Sequence, residues 1–206
     1  MESQGMGSIS DQELHEIVNR VVQKTLGGVE PVPAASPVPQ PQPVVPAAAS
    51  GQKTVAIGTD HGGVDLKQVL SADLKEAGYA VIDCGTNTKD AVDYPDIALA
   101  VAKLVAEGKA WRGVVIDGAG IGSCMAANKV PGIRAAMCYD YATAVNSREH
   151  NDANVLTLGA GLIGVALAKH ILKTWLATEF GGGRHAKRVD KIMAIEKSTI
   201  KDGKVS

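Results

Sequence analysis

The sequence predicts an α/β fold, a Rossmann-like doubly wound sheet of five parallel strands in three αβα layers. Short apolar, partly β-branched runs alternate with stretches of helical length along residues 53–206, as parallel strands joined by crossover helices require. Right-handed crossovers then cover both faces of the sheet. The apolar run 113–116 reads as a strand buried on both faces. It passes through Asp117 into Gly118, Gly120 and Gly122, a sharp turn that needs no Cβ, and on into a helix from about Ser123. Hydrophobic residues make up 45% of the 206 and aromatics only 3%, so the core is built from Val, Ala, Leu and Ile.

Three parts follow in order: an amphipathic helix in 1–28, a linker over 29–52 and a compact domain over 53–206. Residues 1–9 read as disordered. Ser10 or Asp11 caps a helix to about Leu26, with Glu13 placed for a capping box. Leu14, Ile17, Val18, Val21, Val22 and Leu26 form one apolar stripe, opposite Glu13, Glu16, Asn19, Arg20, Gln23 and Lys24. Gly27 and Gly28 stop it. A lone helix of this length is marginal in water, so the stripe calls for a partner: its own domain or oligomer, or a docking surface elsewhere. Pro31, Pro33, Pro37, Pro39, Pro41, Pro43 and Pro46 make the next segment a semi-rigid extended tether.

In the compact domain, strands are expected at 54–58, 79–84, 113–116, 133–137 and 155–158. The turn 59–63 opens a helix to about 77. Pro95 suits the start of a helix to about 107. Further helices are expected near 140–149, 164–178 and 184–197.

Net charge is −1, which gives no electrostatic argument for nucleic acid or an anionic membrane. No apolar run reaches the length of a membrane span, and the N-terminus has no signal-peptide core. Cys84, Cys124 and Cys138 are odd in number and lack metal-type spacing, so reduced thiols in a cytoplasmic protein without a metal are expected.

Ligands in such sheets lie at the carboxyl ends of strands. That rule gathers Asp60, His61, Asp117 with its glycines, and Asp140 into one crevice. A glycine loop feeding a helix points unpaired N–H groups at one place beside the positive helix end, a seat for a phosphate or an oxyanion. Asp117 at its mouth can exchange a proton. Asp60 and His61 form an acid–base pair or a polar clamp, or else Asp60 only caps a helix and His61 is solvated. His150 and Asn151 precede the fifth strand, where a lone His is ordinarily a capping or surface residue. Arg184 and Arg188 share a helix face and suit a phosphate, or are a solvated basic face. A dinucleotide loop competes for 118–123, with Asp140 at the distance such a motif wants. Against it, the sixth position is Ser123, and the loop follows the third strand rather than the first.

From about 54 to 198 the chain resembles the ribose-5-phosphate isomerase B family, which includes the galactose-6-phosphate isomerase subunits. The resemblance lies in Gly58-Thr-Asp-His-Gly-Gly63, Asp93-Tyr-Pro95, Gly118-Ala-Gly-Ile-Gly122, Ala126-Ala-Asn-Lys129, Gly132-Ile-Arg-Ala135, Arg148-Glu-His-Asn-Asp152 and Gly182-Gly-Arg-His185. It implies reversible aldose–ketose isomerisation of a phosphorylated sugar through an enediolate, without metal or organic cofactor. It assigns ring opening to His150, contact with the open chain to Asp60, and the sugar pocket to Tyr94 and Asn151. It places the phosphate on His61, Arg184 and Arg188, and the enediolate oxygen on the loop amides of Gly118, Ala119, Gly120, Gly122 and Ser123. It further implies a homodimer, or a tetramer of dimers, with shared active sites.

The chain departs from the family pattern at four positions. Many members carry Cys where Asp117 stands, and others carry Glu where Ser123 stands. Ala119 replaces a common Thr or Ser, and Gly161 a frequent Arg. Asp117 is therefore expected as the proton-transfer base, with Cys124 as rival, since a thiol at a helix start can have a lowered pKa. The expected reaction interconverts ribose 5-phosphate and ribulose 5-phosphate. A six-carbon sugar phosphate isomerase, a non-catalytic sugar-phosphate binder and a nicotinamide enzyme are the alternatives. The N-terminal helix and tether resemble targeting peptides of bacterial microcompartments, implying a shell-protein partner for residues 10–26 and a location inside such a compartment.

Overall fold

The computed structural model describes residues 51–201 together with 12, 13, 16, 20, 204 and 205. The chain divides into two units, Met1–Ala49 and Ser50–Ser206. In the first, Gln12, Glu13, Glu16 and Arg20 are helical and exposed. The apolar stripe from Leu14 to Leu26, the caps at Ser10 and Asp11, and the prolines of the tether lie outside the described residues.

The second unit holds β1 (Thr54–Thr59), α1 (Val64–Glu76), β2 (Ala80–Asp83), α2 (Tyr94–Ala106), β3 (Arg112–Asp117), α3 (Ile121–Ala127), β4 (Ala135–Met137), α4 (Tyr141–Glu149), β5 (Val155–Gly159), α5 (Val165–Ala177) and α6 (Arg184–Thr199). The five strands are all parallel, in the order β2-β1-β3-β5-β4. Gly113 pairs with Val155 and Asp117 with Gly159, so β3 and β5 end level with each other.

Alternation along the strands sorts the core into two layers. Val55, Ile57, Val114, Ile116, Leu156 and Leu158 point to one face, where Leu70 and Leu74 of α1, Ala144 of α4 and Ile171 and Trp175 of α5 cover them. Ala56, Val115 and Val155 point to the other, against Ala98, Val101 and Ala102 of α2 and Ala127 of α3. The second layer is built from small residues, which lets α2 and α3 lie close to the sheet.

Two buried cations fasten this frame. The Lys67 ammonium donates to both Asp83 carboxylate oxygens (2.6 and 2.7 Å) and to Asn87 Oδ1 (2.8 Å), tying the segment after β2 to α1. Arg112 donates from Nη1 to the carbonyls of Trp175 and Leu176, both at 2.9 Å, and closes the last turn of α5. Burial, with Arg148 nearby, pushes its pKa down to about 10.

Several boundaries differ from the sequence expectation. The fourth strand starts at Ala135 rather than Ile133, because Arg134 N–H donates to the Asn154 side chain (2.8 Å) instead of continuing a ladder. The helix after the glycine loop starts at Ile121 rather than Ser123, because Gly120 is left-handed (φ +80°) and turns the chain at once. A short 3-10 turn, His61–Gly63, precedes α1, and Asp60 caps it by accepting Gly62 N–H at 2.9 Å. An antiparallel pair, β6 (Ile200–Lys201) and β7 (Lys204–Val205), follows α6 where no strand was expected. Among the described residues no helix is long and apolar enough to cross a membrane.

Candidate active site

At the carboxyl edge of the sheet, β1 delivers Asp60 and His61 and β3 delivers Asp117. Asp60 is buried, and its N–H donates to Ile116 O (3.2 Å), so the two strand ends are neighbours. His61 is exposed. Its Nδ1 accepts Val92 N–H at 3.4 Å, which leaves the proton of the neutral imidazole on Nε2, free to donate to a ligand.

Asp117 is 4% exposed and folds back onto its own loop. Oδ1 accepts the N–H groups of Ala119 (2.8 Å) and Gly120, and Oδ2 accepts that of Ser123 (2.9 Å). The sequence expectation offered the amides of Gly118, Ala119, Gly120, Gly122 and Ser123 to a ligand. The structure corrects this: Ala119, Gly120 and Ser123 amides are occupied by Asp117, because a carboxylate at the strand end reaches them more directly than any ligand. The amides of Gly118, Ile121 and Gly122 take no partner among the described residues.

The loop lies tightly against the end of β5. A Cβ on Gly120 would sit 2.9 Å from Leu158 C, and Thr157 Oγ1 donates to Gly120 O at 2.9 Å. Gly161, where the family often has Arg, donates its N–H to Gly118 O (2.9 Å). Tyr94 is half-exposed and lays its ring over Gly122, where a Cβ would come within 2.5 Å of it. Ser123 is fully buried, and its hydroxyl has no hydrogen-bond partner among the described residues.

Two neighbours take roles the sequence did not give them, and a third loses the one it was offered. Tyr139 donates its hydroxyl to Ala119 O at 2.7 Å and props the loop from β4. Its signal was its place at a strand end, the same rule that singled out Asp140. Asp140 itself caps α4, accepting Thr143 N–H at 2.7 Å, and the Thr143 bonds hold its carboxyl below the usual range. Cys124 runs against the expectation of an activated thiol: burial pushes it up from the ordinary value.

The remaining candidates lie elsewhere. A helix that follows a parallel strand runs back toward the amino edge. His150 and Asn151 end α4 and precede Val155, so they lie at that amino edge. Between Val155 and Gly159 the strand alone spans ~13 Å. The His150 ring stacks on His185, with centroids 4.1 Å apart and planes within 5°. His150 Nδ1 is 2.8 Å from Asn146 Nδ2, and Asn151 Nδ2 donates to Asn146 O at 3.2 Å. α6 follows α5 at the same edge, and Gly181 N–H donates to Glu149 O (2.9 Å). Arg184 Nε lies 3.4 Å from His185 Nε2, and Arg188 is one turn along. Partial burial, then His150, Arg184 and Arg188, lower the His185 pKa. His185 was quoted in the sequence only as part of a motif. The structure thus brings Asp60, His61, Tyr94 and the 117–123 loop together at one edge, and His150, Asn151, Arg184 and Arg188 together at the other.

A family model described as Ribose/Galactose Isomerase matches residues 55–192. The chain belongs to that family. The chain is 46% identical over 144 residues to ribose-5-phosphate isomerase B of Escherichia coli K12, covering 70% of this chain and 97% of that protein. It is 44% identical over 140 residues to a D-erythrulose-4-phosphate isomerase of Pectobacterium atrosepticum, covering 68% and 92%. Among solved structures, ribose-5-phosphate isomerase B of Clostridium thermocellum superposes with a TM-score of 0.70 at 54% identity, over 70% of this chain and 98% of that one. Residues 1–54 lie outside the family match.

Proposed function

We propose that this protein interconverts ribose 5-phosphate and ribulose 5-phosphate in a site completed by a second copy of the chain. The observation that carries the proposal is the split of the site residues between opposite edges of one sheet. A proton-transfer group without a phosphate grip cannot hold a sugar phosphate in register. Joining the carboxyl edge of one copy to the amino edge of another supplies both.

In the aldose-to-ketose direction, His150 of the second copy protonates the ring oxygen as the anomeric hydroxyl loses its proton, and the chain opens. Asp117 Oδ2 accepts only one N–H, so it keeps a lone pair to remove the C2 proton and return it to C1, while in the enediolate the O2 hydroxyl proton passes to O1. The enediolate oxygen faces the Gly118, Ile121 and Gly122 amides at the start of α3. Asp60 binds the open-chain hydroxyls, with Tyr94 and Asn151 closing the pocket. His61 Nε2 and the guanidiniums of Arg184 and Arg188 grip the phosphate. A sugar-phosphate binder without turnover is the second reading, and the occupation of three loop amides by Asp117 favours it.

Complementation tests both at once. Asp117→Asn spoils one half-site and His150→Ala the other. Refolding the two impaired variants together forms hybrids with one intact site, and conversion of ribose 5-phosphate returns toward about a quarter of wild type by random pairing. No recovery, with mixed pairs shown by mass, rejects the shared site. Binding without turnover in the wild type selects the second reading.

For the N-terminal unit, we propose a docking helix in 1–28 and a tether in 29–52 that deliver the domain of 53–206 to a shell protein of a bacterial microcompartment. The helical, exposed Gln12, Glu13, Glu16 and Arg20 fit the polar face of such a helix. Deleting residues 1–50 is expected to leave turnover intact and abolish co-assembly with shell. Retained co-assembly rejects the proposal.

A further inference from the structure

The turn between α4 and β5 holds an arrangement that none of the roles above explains. Asp152 is left-handed (φ +47°), the one non-glycine residue with positive φ among the described residues. Side chains rarely adopt this conformation, and it persists where the surroundings fix it. Two arginines do so. Arg134 Nη2 donates to Asp152 Oδ2 (2.9 Å) and Arg148 Nη1 to Asp152 Oδ1 (2.8 Å). Arg134 Nε also donates to the Asp152 carbonyl (2.9 Å), and Arg148 Nη1 to that of Ala153 (2.6 Å). The Arg148 side chain is 6% exposed, so its bonds are shielded from water.

Arg148 reaches beyond this turn. Its Nε donates to Thr178 O (3.3 Å), at the end of α5. Beside it, Gly181 N–H donates to Glu149 O. The segment that carries His150 and Asn151 is therefore fastened to the segment that carries Arg184, His185 and Arg188. The stacking of His150 on His185 is the outcome of that fastening.

We infer that Arg148, Asp152 and Arg134 form a clamp that positions His150 for ring opening without touching the sugar. The inference rests on the ring-opening role proposed for His150. Ring opening is needed only for the cyclic aldose. A 2-ketopentose esterified at O5 has no free hydroxyl that can close a furanose ring, so it enters as the open chain. Exchange of its C1 hydrogen with solvent reports enediolate formation alone.

The test uses the full-length protein carrying Asp152→Asn. Asn keeps the size and tolerates the left-handed backbone, but removes the charge that holds both guanidiniums. Conversion of ribose 5-phosphate is expected to fall about 10- to 100-fold, the cost of a misplaced catalytic group. Exchange at C1 of ribulose 5-phosphate in deuterated water is expected to change less than about threefold. His150→Ala should show the same split, and the double variant no further loss. Arg134→Lys, which keeps a charge but loses the fork, should show the split more weakly and serves if Asp152→Asn does not fold. Equal loss in both assays, or loss in neither, overturns the clamp, as does a folded Arg134→Lys without the split. If His150→Ala itself shows no split, the ring-opening role falls rather than the clamp.

Discussion

At the carboxyl edge of the sheet the functional groups are set by backbone, and at the amino edge by long side chains. Asp117 is held by amides within six residues of itself, in a loop pressed on β5 with no room for a Cβ at Gly120. His150 and Arg184 depend on the guanidiniums of Arg134, just before β4, and Arg148 of α4, which reach the Asp152 carboxylate 18 residues away and the Thr178 carbonyl 30 residues away. A backbone cradle forms as the strand and helix form, and it tolerates few substitutions. A side-chain clamp tolerates conservative change, but its parts fail together. The difference teaches that one sheet can carry two kinds of precision on its opposite edges, one local and one assembled.

The largest effect should come from breaking the chemistry at the backbone edge. Asp117→Asn is expected to lower isomerisation by roughly 10²–10⁴ while far-UV circular dichroism stays unchanged. A fully active Asn variant would remove Asp117 from the role of base.

Breaking the cradle itself should follow. Gly120→Ala places a side chain at φ +80° and 2.9 Å from Leu158 C. A loss of about 1–3 kcal/mol in denaturant unfolding is expected, with activity falling alongside. Unchanged stability would mean that the loop yields as the amino edge does.

The smallest effect sharpens the other edge. His185 has a folded pKa below its unfolded value, so the unfolded chain binds the extra proton first. Stability should be undiminished above the unfolded value and decline as pH falls through it toward the folded one. Thermal melting from about pH 8 to about pH 5 checks this, and His185→Asn should flatten part of the slope. A slope of the opposite sign would show that the stack prefers the imidazolium.

Much of the fold was legible because its signals are local. The apolar run before Asp117, the glycines after it and the proline at 95 each determine a conformation within a few residues. The polarity of the sheet was legible too, since a helix between parallel strands must return to the amino edge, and this alone separates His150 from Asp117. The fold-back of Asp117 could have been read as an Asx-type turn, in which a short carboxylate competes for its own backbone. The clamp could not. Arg148 and Asp152 share one motif, but Arg134 lies in another, and only tertiary packing brings the second guanidinium to the same carboxylate.

Trp111 and Trp175 are the chain's two tryptophans. Trp111 enters β3 with Lys53 and Arg112 over its ring at 4.0 Å, and Trp175 ends α5, fully buried beneath Arg112 and Arg148. All indole emission therefore originates beside the arginines, none beside the glycine loop. A simple fluorimeter can follow one edge of this molecule loosening or being covered while staying blind to the other.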